Sequence, residues 1–327
     1  MRRPHAAAVA LALATSLAQA DWYSDDAAIM GTEMRVELWL KEEQAAREAI
    51  HAVWREMHRI DRLMSTYKDD SEISAVNRAA SQRPVPVSAE LFELIERSLE
   101  LSRLSDGAFD ITYASVGYLY DYRERERPDE AQIEAALPAI DFRHVVLDEE
   151  HGAVAFATPG VRIDLGGIAK GYAVEQAAEL LHSHGVEHAI VTAGGDSRIV
   201  GDRRGKPWIV GIRDPRERRQ IVARLPLVDE AISTSGDYER YFEEDGVRYH
   251  HILSPSTGAP AQDIRSATVV GPDATQTDGL STAVFVLGPE AGIELIDTLS
   301  DFEAVIVDAD GRLHYSSGLQ QPEVTEQ

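Results

Sequence analysis

Asp278 and Thr282 stand four residues apart, so a helix through them carries a carboxylate and a hydroxyl on one face. That is a thin set for a free cation. It suits Mg2+, which keeps several waters and takes further ligands from substrate phosphates. The simpler alternative makes Asp278 the N-cap of a helix over 278–288 and Thr282 a buried hydroxyl bonded to its own helix. A second stretch, Ile163-Asp-Leu-Gly-Gly-Ile-Ala-Lys-Gly171, leads a carboxylate and a Gly-Gly pair into a helix of small residues. Free N–H groups and the dipole at such a helix start favour an anion, and Lys170 in the first turn could reach one. Neither the Walker order nor the dinucleotide fingerprint is present, so the stretch reads as an anion site or as a close-packed helix entry. His250 and His251 are neighbours, so on a strand they face opposite ways and do not make a two-histidine metal site.

These groups need elements to hold them. Residues 33–40 alternate charge with apolar side chains and read as a half-buried strand. Ile50, Val53, Trp54, Met57, Ile60 and Met64 recur at helical spacing and predict a core-packing helix. It ends at Ser65-Thr66-Tyr67, where Tyr67 either caps the helix or stacks on a flat ring, the cap being the simpler reading. Ser88 is placed to cap a helix over 89–104, and Asp129 with Gln132 has the spacing of a capping box. Asp110, after Asp106-Gly107-Ala108-Phe109, either orients a polar ligand or bonds its local backbone. The runs 145–147 and 154–156 flank a turn and predict a hairpin. Further strands are expected at 189–193, running into Gly194-Gly195-Asp196, and within 207–215 and 266–272, while 231–238 is a small, hydroxyl-rich segment before Tyr241-Phe242.

The chain opens with Arg2 and Arg3, an apolar stretch over 6–17 and Ala18-Gln19-Ala20, which reads as a secretory signal over 1–20. The mature domain is then expected over 21–318, soluble in the periplasm, with a disordered tail over 319–327. No cysteine follows the signal, so no lipid anchor of the bacterial type is expected, and an exported chain without cysteine relies on its core alone. A net charge of −24 excludes non-specific binding of nucleic acid. The few cations must gather wherever an anionic ligand binds.

In order along the chain, the segments resemble the ApbE family, the FAD:protein FMN transferases. The resemblance rests on Met30-Gly31-Thr32, Ser65-Thr66-Tyr67 through Asn77, and Asp106 to Thr112. It continues through Ile163 to Gly171, Gly194-Gly195-Asp196, Pro207 to Pro215, Thr234 to Tyr238, His251 to Gly258, and Asp278 to Thr282 with Gly288. Each is weak alone; their ordered combination over about residues 30–290 is specific. It implies an α+β fold of two lobes, with mixed, largely antiparallel sheets and a flavin cleft between them. It implies FAD as substrate with Mg2+, and transfer of the FMN half through its phosphate to a Ser or Thr hydroxyl, releasing AMP. The acceptors it implies are flavoprotein subunits of Rnf-type or Na+-translocating NADH:quinone reductase-type complexes, or related flavoproteins. Carried onto this chain, Met30, Tyr67, Ala108, Phe109, Asp110, Asp164, Lys170, His251 and Ile252 line the FAD site. The carbonyl of Gly167 and the side chains of Asp278 and Thr282 hold the metal. His251 is the expected base for the incoming hydroxyl and Asp237 its rival. Ser254 departs from the family's usual Asp, which a loop-shaping role tolerates. An Mg2+-dependent FAD pyrophosphatase and a non-catalytic periplasmic flavin-binding protein are the competing readings.

Overall fold

The computed structural model describes residues 21–217 and 219–319; the expected signal and the tail from 320 onward lie outside them. The frame is an eight-stranded sheet. Across it the strands run Asp21–Ile29, Thr32–Leu40, Ala189–Ala193, Asp196–Val200, Ala231–Gly236, Ile264–Gly271, Glu303–Asp308 and Leu313–Tyr315. Every pairing among the described residues is antiparallel, in this sheet and in the smaller ones, so the sheets are not mixed. With the helices this makes an α+β fold.

Alternation fixes which face each residue takes. In Ala189–Ala193, Ala189, Val191 and Ala193 join the main core, while Ile190 faces the other way against a second cluster. One face is covered by the helices Glu43–Met64, Ala169–Ser183 and Ala274–Leu287. The hairpin Trp208–Arg213 with Ile221–Leu227 covers part of the other through Trp208, Leu225 and Leu227. The segment carrying Ile111, Phe142 and Val154 belongs to the same continuous core as the sheet, so both expected lobes share one interior.

Several local signals hold to the residue. The 43–64 helix buries Ala46, Ile50, Val53, Met57, Ile60 and Met64 on one stripe. Ser88 accepts from the Leu91 N–H at the start of Ala89–Leu104, and the Asp129–Gln132 capping box forms. The strand Asp21–Ile29 is not legible as alternation, because its Asp and Ser residues lie on an exposed sheet edge. The other difference bears on the site. The helix that carries Asp278 starts at Ala274, capped by Asp273 accepting from the Gln276 N–H at 2.9 Å. Asp278 is therefore one turn inside the helix and is not its cap.

Candidate active site

The site is built where two helices cross closely. At Gly171, in the first turn of Ala169–Ser183, a Cβ would lie 2.1 Å from the Ala274 carbonyl oxygen and 2.6 Å from the Asp278 Cβ. The glycine lets the helices touch, and the Gly171 N–H then donates to Asp278 Oδ2 at 2.8 Å. An internal carboxylate thus takes the place an external phosphate was expected to fill at this helix start. Lys170 stands between two buried acids, 2.5 Å from Asp196 Oδ2 and 3.4 Å from Asp278 Oδ1. Burial works against its charge, but Asp196 and Asp278 outweigh that and raise its pKa. Burial, and then Asp278, push the Asp196 carboxyl up to about 7. Asp196 reaches this position because Gly194 adopts φ 62° and Gly195 lies against the Thr234 carbonyl, where a Cβ would be 2.4 Å from the oxygen.

Thr282 lies one turn beyond Asp278. A Cβ on Gly167 would be 3.2 Å from Thr282 Oγ1, which places Gly167 against that hydroxyl. A continuous helix would send the Gly171 N–H to the Gly167 carbonyl; here it goes to Asp278, and no hydrogen bond to that carbonyl occurs among the described residues. Ser235 reaches across from the sheet, its Oγ 3.2 Å from Thr282 Oγ1 and 2.8 Å from Ser281 Oγ. Asp196 Oδ1 is buried without a partner beside this group. Carboxylate, hydroxyl and carbonyl oxygens are the donors a hard divalent ion takes, so Gly167, Asp278 and Thr282 fit Mg2+. Among the described residues no group of three or more His, Cys, Asp or Glu could hold a metal, so the set is recognisable only through the hydroxyl and the carbonyl.

The cleft wall continues through the 163–166 turn. Asn77 holds it with both ends of its amide, donating to the Ile163 carbonyl at 2.9 Å and accepting from the Ile163 N–H at 2.8 Å. Asp164 accepts from Thr66 Oγ1 at 2.7 Å and from the Gly166 N–H at 2.6 Å. Tyr67, next to Thr66, is 81 % exposed, so it does not cap the preceding helix and its ring is free to stack. The cap is Ser65, whose N–H reaches the Asp61 carbonyl. Met30 takes φ 53° in the tight turn between the first two strands, and lines a hollow of about 530 Å³ with His58, Asp61 and Lys68. Phe109 is buried, its ring touching the positions of both Gly167 and Gly279.

Asp110, expected at the FAD site, and Asp237, the rival base, are otherwise engaged. Asp110 accepts from the Thr112 N–H and hydroxyl on Oδ1, and from the Phe142 N–H on Oδ2. Its carboxyl braces the Ala108-Phe109 loop and is not offered to a ligand; burial raises its pKa. Asp237 is buried between Arg265 at 2.9 Å and Arg248 at 3.2 Å, which fixes the hairpin of Tyr241–Glu244 and Val247–His250. Both carboxylate oxygens are taken by guanidinium groups, so neither is left to face a substrate hydroxyl. Ile252 is buried in the main core, so it shapes the wall.

The two histidines do face apart. His250 is buried, donating from Nε2 to the Ala261 carbonyl at 2.7 Å while Nδ1 accepts from the Ile252 N–H. His251 keeps some surface, but its Nδ1 is enclosed and has no partner. Burial, then the charges of Arg240, His250 and Lys170, push its pKa down to about 3, so the ring is neutral at pH 7. Arg240, whose charge reaches His251, Tyr113 and Tyr122, carries no signal in the sequence, because only folding brings it to the Met30-Gly31 turn.

A metal-fitting oxygen set and a charged lysine therefore meet at the helix crossing, with a neutral histidine within reach of that lysine's charge. The model of the family described as ApbE matches residues 30–306. The chain belongs to the ApbE family. It is 35 % identical over 316 residues to the FAD:protein FMN transferase of Treponema pallidum, covering 91 % of this chain and 87 % of that one. A Vibrio cholerae protein of the same name is 35 % identical, covering 79 % of each chain. The crystal structure of the ApbE protein of Thermotoga maritima aligns with a TM-score of 0.84 at 35 % identity, covering 91 % of this chain and 98 % of that one. The flavin transferase ApbE of Vibrio cholerae aligns with a TM-score of 0.81 at 29 % identity, covering 91 % and 98 %. The ApbE match thus spans both crossing helices and the sheet apart from its two edge strands, Asp21–Ile29 and Leu313–Tyr315.

Proposed function

We propose that this ApbE protein is an FAD:protein FMN transferase. The observation that carries the reading is the crossing at Gly171, which brings Asp278 to the Gly171 N–H and to Lys170, whose charge reaches His251. Breaking a pyrophosphate needs charge neutralisation and in-line positioning more than covalent help. Mg2+ held by Asp278, Thr282 and the Gly167 carbonyl supplies the neutralisation when bound. Lys170 and the 163–166 turn hold the nucleotide, and Tyr67 offers its ring to a flat partner. The acceptor hydroxyl oxygen bonds to the phosphorus of the FMN half, the bond from that phosphorus to the AMP side breaks, and AMP leaves with the electron pair. The hydroxyl proton passes to His251, whose neutral ring can take it; the arriving anionic nucleotide raises its low pKa towards the working range.

The acceptor is a flavoprotein of the Rnf or Na+-translocating NADH:quinone reductase type, or a relative of these, and the reaction takes place in the periplasm after loss of residues 1–20. Among the described residues no helix is long and apolar enough to cross a membrane. Incubation with FAD, Mg2+ and a candidate acceptor subunit tests the reading. FMN fixed on the acceptor with AMP released supports it. Free FMN and AMP alone support hydrolysis, and intact FAD supports a binding protein.

A further inference from the structure

Arg240 opens the hairpin that leads to His251, and its side chain is exposed. Its guanidinium lies over the Met30-Gly31 turn, where a Cβ on Gly31 would be 3.1 Å from Nη2. Its carbonyl accepts the His251 N–H at 3.1 Å, so the two backbones are tied together. The neighbouring cations are already neutralised: Lys170 stands between Asp196 and Asp278, while Arg248 and Arg265 share Asp237. Among the described residues Arg240 has no carboxylate partner, in a chain of net charge −24. An unpaired guanidinium over this turn, on a residue whose backbone is bonded to His251, is placed for a planar, bidentate anion.

We propose that Arg240 binds the pyrophosphate of FAD on the His251 side of the cleft, holding the phosphate that the acceptor hydroxyl attacks. The inference rests on the FAD reading above and adds a residue to it. A phosphate is favoured over an acidic acceptor side chain because the base must stand beside the reacting phosphorus, and Arg240 is tied to that base by its own carbonyl. Its charge also helps keep His251 neutral before the nucleotide arrives.

The test compares FAD with riboflavin, which has the same ring and no phosphate, by flavin fluorescence titration in the presence of Mg2+. Losing hydrogen bonds to a charged group predicts that Arg240→Ala weakens FAD binding about 10- to 100-fold. Riboflavin binding stays within about twofold of wild type, and Arg240→Lys recovers part of the loss as a point charge without the fork. Equal losses for both ligands, or no loss for FAD, overturn the proposal. Should Arg240→Ala not fold, Arg240→Gln gives the same comparison with the stem kept. Transfer by the wild type, run in parallel, keeps the two ideas apart: FAD bound but never transferred sinks the transferase reading, while the variant-to-wild-type binding ratio still decides Arg240.

Discussion

Replacing Gly171 by alanine tests whether the helix crossing holds the site together. On propensity alone the change favours the helix by about 1 kcal/mol. The added Cβ, however, would sit 2.1 Å from the Ala274 carbonyl oxygen and 2.6 Å from the Asp278 Cβ. The first neighbour is backbone and cannot rotate away, so one helix must shift by about 1 Å to restore ordinary contact. Overpacking of this kind costs about 1–3 kcal/mol, and here it acts on two helices buried against the sheet. The clash therefore wins, with a net loss of up to about 2 kcal/mol. That lowers the midpoint of thermal unfolding by as much as about 4–8 °C, at about 2–4 °C per kcal/mol for a domain approaching this size. The same shift stretches the Gly171 N–H contact to Asp278 and the Lys170–Asp278 contact, so Mg2+ and FAD bind more weakly as well. Circular dichroism melts and FAD titrations read both effects. A Gly171→Ala protein as stable as wild type, with unchanged FAD affinity, refutes the reasoning.

Other changes separate support from chemistry. Tyr67→Ala leaves stability within about 0.5 kcal/mol, because an 81 % exposed ring packs against nothing essential, yet it weakens FAD binding; Tyr67→Phe keeps the stack and the affinity. Asn77→Ala removes both bonds to Ile163, costing about 1–3 kcal/mol in urea unfolding and raising the KM for FAD as the Asp164 turn loosens. Asp278→Asn loses the response of FAD cleavage to added Mg2+ and about 100-fold or more in rate, measured as AMP release. His251 has a folded pKa of about 3 against 6.5 unfolded, so between those values the unfolded chain binds a proton the native one refuses. This site's contribution therefore makes stability rise with pH across that window and fall as pH drops below 6.5, by up to about 1.4 kcal/mol per unit. His251→Gln flattens that part of the stability profile, and an NMR titration of the wild type shows no His251 midpoint near 6.5.

What the sequence reveals follows from how far a residue's partners lie along the chain. Ser88 and the Asp129–Gln132 box are legible because their partners are three residues away. The start at Ala274 is misread because Thr275, Thr277 and Gly279 look like a polar loop; folding buries them between sheet and helices, where Gly279 lies against Leu101. Asp110 and Asp237 have the right type for site residues, but Phe142 and Arg265 claim them from about thirty residues away. Gly171 shows both readings of the glycine-rich stretch meeting: the close packing is real, and it places Asp278 at the helix start. Arg240 is invisible in sequence because its neighbours, Gly31 and Tyr113, come from distant segments.

The most direct test is the fate of the FMN half of FAD. Incubated with FAD, Mg2+ and an acceptor flavoprotein subunit, the protein is expected to release one AMP for each FMN attached, the FMN mapping by mass spectrometry to a Ser or Thr through a phosphoester. His251→Ala, with FAD saturating, is expected to lose about 10²- to 10⁴-fold in that rate. AMP and free FMN appearing together with no adduct on the acceptor, or full transfer by His251→Ala, would contradict the account.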